Sequence, residues 1–199
     1  MASVTPDAIG LIRQRLEDSL AIKRAMLESG CMEQAAAVAT AMTDALRSGA
    51  KVLFFGNGGS SMDAGHLAAE LAGRFYRDRP GLPGVSMADG TASVTAIAND
   101  YSYDDVFARQ VRALGRPGDV AVGLTTSGNS RNVVEALIAA REIGMTAVAL
   151  TGAEGGKAAA AADICVRVPT DDTPRIQEAC MHLGHTICEF AEAQLFPVY

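Results

Sequence analysis

Short apolar runs that alternate with helix-like segments dominate the sequence from residue 51 onward. The first run, 51–56, is continuously apolar up to a glycine turn, and four more follow at 83–87, 119–124, 145–151 and 163–168. Runs of this length without polar alternation are typical of strands in a parallel sheet that is covered on both faces. The sequence therefore predicts an α/β fold of three layers around a five-stranded parallel sheet.

Helical patterns fill the rest of the chain. After the first strand they cover 60–75, 91–98, 103–114, 130–142, 156–162 and 174–195. We expect residues 1–199 to form a single domain, with N-terminal helices in 1–48 and an α/β core in 49–199.

Two helices are predicted before the first strand, at 6–28 and 32–47. Thr5-Pro6 is a plausible start for the first, and Gly49 ends the second. The pattern leaves two interpretations of this hairpin equally open. Either the pair packs on its own sheet, or it forms a helical bundle between subunits.

The charge balance limits the classes of partner. Asp+Glu number 23 against 17 Lys+Arg, which gives a formal net charge of -6. That argues against a protein that binds nucleic acid by neutralising its phosphates. No apolar run reaches the roughly 18–20 residues of a membrane span, and the N-terminus does not resemble a signal peptide. We predict a cytoplasmic protein with no nucleic-acid or membrane partner, whose four cysteines are reduced and buried.

Two loops rich in Gly, Ser, Asn and Thr follow predicted strands. They are Gly-Asn-Gly-Gly-Ser-Ser at 56–61 and Thr-Thr-Ser-Gly-Asn-Ser at 125–130. Ligands of open α/β sheets lie beyond the carboxyl ends of the strands, where amides, hydroxyls and a helix N-terminus can hold an anion. Neither loop has a dinucleotide or P-loop motif or a lysine, so we expect a small anion such as a sugar phosphate. Turns and helix caps explain either loop alone, but two at equivalent places favour a ligand.

The candidates for chemistry are three histidines and their neighbours. Glu70 follows His66 by four residues on one helical face, so the two can share a proton or bind a metal ion. On the last helix His182 and His185 are three residues apart, and Gln177 and His185 are eight apart on one broad side. Pattern alone does not choose between these pairs, but glutamine is an uncommon zinc ligand, so ligand chemistry favours the two histidines.

Several motifs together resemble those of phosphoheptose isomerases, a family of sugar isomerase (SIS) domain proteins. The motifs are PheGlyAsnGlyGlySerSerMetAspAlaGlyHisLeuAlaAlaGlu (55–70), ArgProGlyLeuPro (79–83), AlaAsnAspTyr (98–101), ThrSerGlyAsnSer (126–130), LeuThrGlyAlaGluGlyGly (150–156) and ArgIleGlnGlu (175–178). The resemblance covers nearly the whole chain and is weakest in the first forty residues. The loops specify only the superfamily, whereas the His/Glu and Gln/His pairs specify the isomerase branch.

The resemblance implies a flavodoxin-like SIS fold, a homotetramer with active sites at subunit interfaces, and one zinc ion per subunit. The implied ligands are His66, Glu70, Gln177 and His185, so that His182 becomes a core residue or one that supports a ligand. The implied reaction converts sedoheptulose 7-phosphate into D-glycero-D-manno-heptose 7-phosphate through an enediol, the first step of activated heptose biosynthesis. Glu70 is then the base and His185 the acid.

The resemblance also implies a set of substrate contacts around the loops. The set comprises Asn57, Gly58, Gly59, Ser60, Glu70, Arg74, Asn99, Asp100, Thr125, Thr126, Ser127, Ser130 and Gln177. Thr125 stands where some members have serine, and a further carboxylate contact is left open between Asp171 and Asp172.

Two other functions stay open at this point. One is a non-catalytic SIS tetramer that binds a replication-initiation protein, but that relative lacks an acidic residue matching Glu70, which favours the enzyme. The other is an isomerase of a different sugar phosphate, since few contacts read the length of the sugar.

Overall fold

Strands alternate with helices along residues 5–197, the part of the chain that the computed structural model describes. The helices are α1 (Pro6–Glu28), α2 (Cys31–Arg47), α3 (Gly59–Ala72), α4 (Thr91–Asp100), α5 (Val106–Leu114), α6 (Arg131–Ile143), α7 (Gly156–Ala161) and α8 (Thr173–Leu195). The strands are β1 (Val52–Gly56), β2 (Gly84–Ser86), β3 (Val120–Leu124), β4 (Thr146–Thr151) and β5 (Ile164–Arg167). A 3₁₀ turn at Tyr103–Asp105 leads into α5.

The strands form one parallel sheet in the order β2-β1-β3-β4-β5. Val52 of β1 pairs with Gly84 on one side and Val120 on the other. Every residue of β1 and β3 is buried, which is why both read as continuous apolar runs. This strand order is the flavodoxin-like one, so the predicted fold class is confirmed. The order reverses between β1 and β3, and the crevice at their carboxyl ends is where such sheets bind ligands.

Apolar clusters cover both faces of the sheet. On one face α2, α3 and α8 contribute Val38, Leu67 and Leu183. On the other face α5 and α6 contribute Val111 and Leu137. Helices therefore form the two outer layers, and α3 and α8 share the same face of the sheet.

The two helices of the N-terminal hairpin differ in how they pack on the subunit's own sheet. Helix α2 packs on its own sheet and buries Val38 and Met42. Helix α1 buries only Ser19 and Met26, while apolar side chains such as Ile12 remain exposed (69% for this one). The subunit thus leaves an apolar face of α1 uncovered. Neither α1 nor any other helix within 5–197 has the length and apolar character needed to cross a membrane.

Helix α3 is shorter than its predicted range of 60–75. It ends at Ala72, and backbone amides of the segment that follows bond to a side chain of another helix. The amides of Phe75, Tyr76 and Arg77 donate to the carboxylate of Glu192 at 2.8–2.9 Å. The helix pattern of the sequence could not indicate a partner on α8.

The four cysteines are free thiols. The prediction that they are buried is confirmed for Cys31, Cys180 and Cys188 but is wrong for Cys165, which is partly exposed. Burial raises the pKa of Cys180 to about 12 and that of Cys188 to about 12. Both thiols are therefore protonated and unreactive at neutral pH.

A buried ion pair joins the strands at the end of the sheet opposite the ligand crevice. Asp119, at 3% exposure, accepts hydrogen bonds from the Lys51 ammonium, the Lys51 amide and the Arg116 amide. Burial raises the pKa of Asp119, but these donors outweigh burial and hold the pKa below 3.8. The carboxylate is therefore ionised in the folded protein at neutral pH.

Candidate active site

Three side chains from α3 and α8 meet at one point. His66 Nε2 lies 2.9 Å from Glu70 Oε1 and 3.0 Å from His185 Nε2, while His185 Nε2 lies 4.0 Å from the same carboxylate oxygen. The two helices approach closely because α8 has a glycine at the contact. A Cβ at Gly184 would lie 2.6 Å from Leu67 Cδ2. We call His66, Glu70 and His185 the His/Glu cluster.

The donor atoms of the His/Glu cluster fit a single metal ion. All of them lie within 4.8 Å of one another. Two imidazoles and a carboxylate are ligands that zinc commonly takes, and bonds of about 2.0–2.1 Å in a tetrahedron place ligand atoms roughly 3.3 Å apart. Without a metal ion, one imidazole must donate to the other. With a metal ion, both nitrogens bind through lone pairs.

The fourth predicted ligand, Gln177, faces the first glycine-rich loop. A Cβ at Gly59 would lie 2.7 Å from Gln177 Nε2, so the start of α3 has room for this amide only because residue 59 is glycine. Gln177 also lines a narrow crevice with Ser60 and Thr125. The structure therefore places it beside both loops, two turns before His185 on α8.

His182, the alternative ligand, does not belong to the His/Glu cluster. Its side chain is exposed, so of the two expectations for this residue that of a core position is wrong and that of a residue supporting a ligand stays a prediction. It lines an open groove between α1 and α8 together with His185, Arg15 and Arg175. It precedes His185 by three residues and shares the groove with it, but the donor atoms that meet at the cluster are those of His66, Glu70 and His185.

The first loop is held by an amide pair that the sequence did not reveal. Gly58 has φ +55° and ψ -122°, a conformation that glycine permits. The side chains of Asn57 and Asn132 exchange two hydrogen bonds of 2.8 and 2.9 Å, and the Tyr103 hydroxyl donates to Asn57 Oδ1 at 2.9 Å. Asn132 is 2% exposed and lies at the start of α6. The pair therefore ties the first loop to the helix that follows the second.

The second loop is held by its own hydroxyls and by a neighbouring turn. The buried Thr125 donates to Ser130 Oγ at 3.0 Å, and Ser127 Oγ accepts the Asn129 amide at 3.2 Å. Gly128 has φ +67°, and a Cβ there would overlap the Gly155 carbonyl. These contacts hold the backbone and hydroxyl groups of the second loop in a fixed arrangement at the N-terminus of α6, as an anion site requires.

The remaining predicted contacts lie on the surface of the subunit. Arg74, Asn99, Asp100, Asp171 and Asp172 are all exposed. Asn99 Nδ2 donates to Asp100 Oδ1 at 2.8 Å. Within residues 5–197 none of the five forms a hydrogen bond or ion pair with the loops or with the His/Glu cluster.

Comparisons with known proteins decide the family. Residues 16–152 match the SIS domain. A phosphoheptose isomerase from Rhodospirillum rubrum is 51% identical over 165 residues, which cover 83% of this chain and 88% of that protein. One from Aneurinibacillus thermoaerophilus is 44% identical over 186 residues, 93% of this chain and 94% of that protein. The chain belongs to the phosphoheptose isomerase family of SIS-domain proteins.

The solved structures agree with this assignment. The phosphoheptose isomerase from Neisseria gonorrhoeae superimposes with a TM-score of 0.87 at 41% identity and covers 94% of this chain and 99% of that one. As a member of the phosphoheptose isomerase family the chain is a sugar-phosphate isomerase, which confirms the predicted enzyme class.

The hydrogen bonds between Asn57 and Asn132 are expected to stabilise the folded protein at the first loop. Asn132→Ala removes both bonds to Asn57 and leaves the Asn57 amide nitrogen without its acceptor, which we expect to lower the free energy of unfolding by about 1–3 kcal/mol. Tyr103→Phe is the control, because it removes one exposed bond to the same oxygen and should cost less than about 0.5 kcal/mol. Urea unfolding measures both. Equal losses would show that the pair does not anchor the loop.

Proposed function

We propose that the enzyme converts sedoheptulose 7-phosphate into D-glycero-D-manno-heptose 7-phosphate, the first step of activated heptose biosynthesis. The observation that carries this proposal is the His/Glu cluster, in which His66 and Glu70 lie on the helix that follows one glycine-rich loop and His185 lies on α8. The second such loop follows the neighbouring strand, β3. The names of the relatives at 51% and 44% identity support the same reaction.

The reaction requires one proton to leave C1 of the ketose and one to arrive at C2, with an enediol between them. Glu70 is the proposed base, since its carboxylate is partly buried in the cluster and still 22% exposed. His185 is the proposed acid, because its imidazole lies across the cluster from that carboxylate and can move a proton between the substrate oxygens. His66 holds Glu70 in place at 2.9 Å.

Zinc is the proposed cofactor, with one ion per subunit. His66, Glu70 and His185 would hold it, and Gln177 would add its amide oxygen from α8. When bound, zinc polarises the substrate carbonyl and stabilises the negative charge that develops on its oxygen.

The phosphate group is proposed to bind at the second loop. Thr126, Ser127 and Ser130 offer hydroxyls beside the N-terminus of α6, where backbone amides and the helix dipole favour an anion. The sugar is proposed to lie along the first loop. The other proposed contacts are Asn57, Gly58, Gly59, Ser60, Arg74, Asn99, Asp100, Thr125 and Gln177, with Asp171 and Asp172 left as alternatives.

Residues 1–199 are proposed to form one SIS domain that assembles as a homotetramer with active sites at subunit interfaces. The uncovered apolar face of α1 supports the assembly, as do the surface positions of Arg74, Asn99 and Asp100. A cytoplasmic location, and the absence of nucleic-acid and membrane partners, stay predictions of the sequence.

The assembly can be measured by light scattering. We expect about 82 kDa, four times the chain mass of 20.6 kDa. Replacing Ile12 and Leu16 together by Asp places charge in the apolar face and should lower the mass. Gln14→Lys, on the opposite side of α1, is the control and should leave it unchanged. A monomeric wild-type chain at micromolar concentration would contradict the tetramer.

The reaction itself is tested by incubating the purified protein with sedoheptulose 7-phosphate and following the aldose by NMR. Glu70→Gln should lower kcat by at least about 10²–10⁴-fold, the usual contribution of a general base, while the sugar phosphate still binds. His182→Ala is the control and should keep turnover close to that of wild type.

Three results would count against the proposed reaction. Full activity of Glu70→Gln would show that Glu70 is not the base. Turnover of a different sugar phosphate but not of the heptulose would favour the other isomerase, and binding without turnover would favour the non-catalytic protein.

The metal proposal has its own test. Chelation should lower activity and zinc should restore it, with little change in the far-UV circular dichroism, because the cluster lies on helices that are packed independently of it. Metal analysis should show loss of zinc in His66→Ala and His185→Ala but not in His182→Ala. Full activity of metal-free wild type would contradict the proposed cofactor.

A further inference from the structure

The segment that follows α3 wraps around a buried carboxylate of α8. Glu192 is 2% exposed, and its oxygens accept the backbone amides of Phe75, Tyr76 and Arg77. Burial raises the pKa of Glu192, but these amides and the Arg79 guanidinium outweigh burial and hold the pKa below its ordinary value. A carboxylate this deeply buried is stable as an anion only because donors surround it.

Arg79 connects this carboxylate to the end of α3. Its Nε donates to Glu192 Oε2 at 2.9 Å, and its side chain is also 2% exposed. Its two terminal nitrogens donate to the backbone carbonyls of Glu70 and Leu71 at 2.9 and 2.8 Å. These carbonyls belong to the last turn of α3, where no helical amide remains to bond them. Arg79 therefore caps the turn that carries Glu70.

The same pair also reaches the other half of the His/Glu cluster. Glu192 holds the amide of Phe75, and the Phe75 ring lies against the His185 ring, with 5.9 Å between centroids. Glu192 lies seven residues after His185, which is two turns of α8. One buried ion pair thus fixes the backbone of Glu70 on α3 and the surroundings of His185 on α8.

We propose that Arg79 and Glu192 are positioning residues of the active site. Neither touches the donor atoms of the His/Glu cluster. They set the position of the Glu70 carboxylate relative to the two imidazoles, and through it the zinc affinity and the turnover number. Residues that orient metal ligands from outside typically change metal affinity or activity by about 10–100-fold when replaced. The turnover part of this inference rests on the proposed function, whereas the zinc-affinity part does not.

The test compares Arg79→Lys with the wild-type chain. Lysine keeps a positive charge beside Glu192. Its single ammonium group cannot replace a planar guanidinium that bonds to the carboxylate and to the carbonyls of Glu70 and Leu71 at once. We expect the zinc Kd, measured by competition with a chelator, to rise about 10–100-fold, and kcat to fall by a similar factor. KM should stay within about twofold, because the loops proposed to bind substrate are untouched.

Asp119→Asn is the matched control, since it damages another buried carboxylate ion pair at the far end of the sheet. It should lower the melting temperature, as Arg79→Lys does, and leave the zinc Kd and kcat unchanged. All assays are made at a temperature at which circular dichroism shows the variants folded. An Arg79→Lys variant that loses stability but keeps both the zinc Kd and kcat would overturn the proposal.

A second variant keeps the proposal testable if Arg79→Lys does not fold. Glu192→Gln keeps the size of the side chain but removes the charge beside Arg79 and replaces one oxygen acceptor by a donor, so we expect a several-fold rise in the zinc Kd. An unchanged zinc Kd would overturn the proposal. If wild type does not isomerise the heptulose, the proposed function fails and the zinc Kd still decides this inference. A wild-type chain that neither binds zinc nor turns over substrate overturns both.

Discussion

The close packing of α3 on α8 is the contact on which the candidate active site depends. Each helix alone carries an incomplete set of groups: His66 and Glu70 on α3, and His185 on α8. Gly184 leaves room for Leu67, which is buried at 1% exposure, and this brings the nitrogens of the two imidazoles to 3.0 Å. A larger residue at 184 would displace the buried Leu67 side chain between the helices, so the apolar core and the candidate site share one constraint.

The sheet places this helix pair beside the loops. Because β1 and β3 are neighbours and parallel, both glycine-rich loops leave the same edge of the sheet on either side of the reversal in strand order. Helix α3 begins in the first loop, and the pair between Asn57 and Asn132 ties that loop to α6. The loop proposed to bind phosphate and the group proposed to move protons can therefore act on one substrate held between them.

The sequence predicted the parts of the fold that depend on local pattern. Continuous apolar runs identified the strands, because β1 and β3 are buried on both faces. The end of α3 was missed because the carboxylate that holds the segment after it, Glu192, lies 117 residues from Phe75 along the chain. Periodicity likewise could not show that α2 packs on the sheet while the apolar face of α1 stays uncovered, since both helices have amphipathic patterns.

The sequence likewise predicted only those parts of the candidate site that depend on local spacing. Spacing placed His66 and Glu70 on one helical face, and the structure joins them to His185. Spacing did not separate His185 from His182, since residues three apart share a side of a helix and only the packing against α3 distinguishes them. Asn132 gave no signal because an isolated asparagine at the start of a helix usually caps it, and its partner Asn57 belongs to another loop.

The central claim is that Glu70 carries a proton between two carbons of the substrate. The most direct test is to run the isomerisation in D₂O and read the product by NMR. Because the Glu70 side chain is 22% exposed, a proton that it removes can exchange with solvent before it is returned. The aldose formed by wild type should carry deuterium at C2. Aldose formed by Glu70→Gln at the wild-type rate and with the wild-type deuterium content at C2 would contradict the claim.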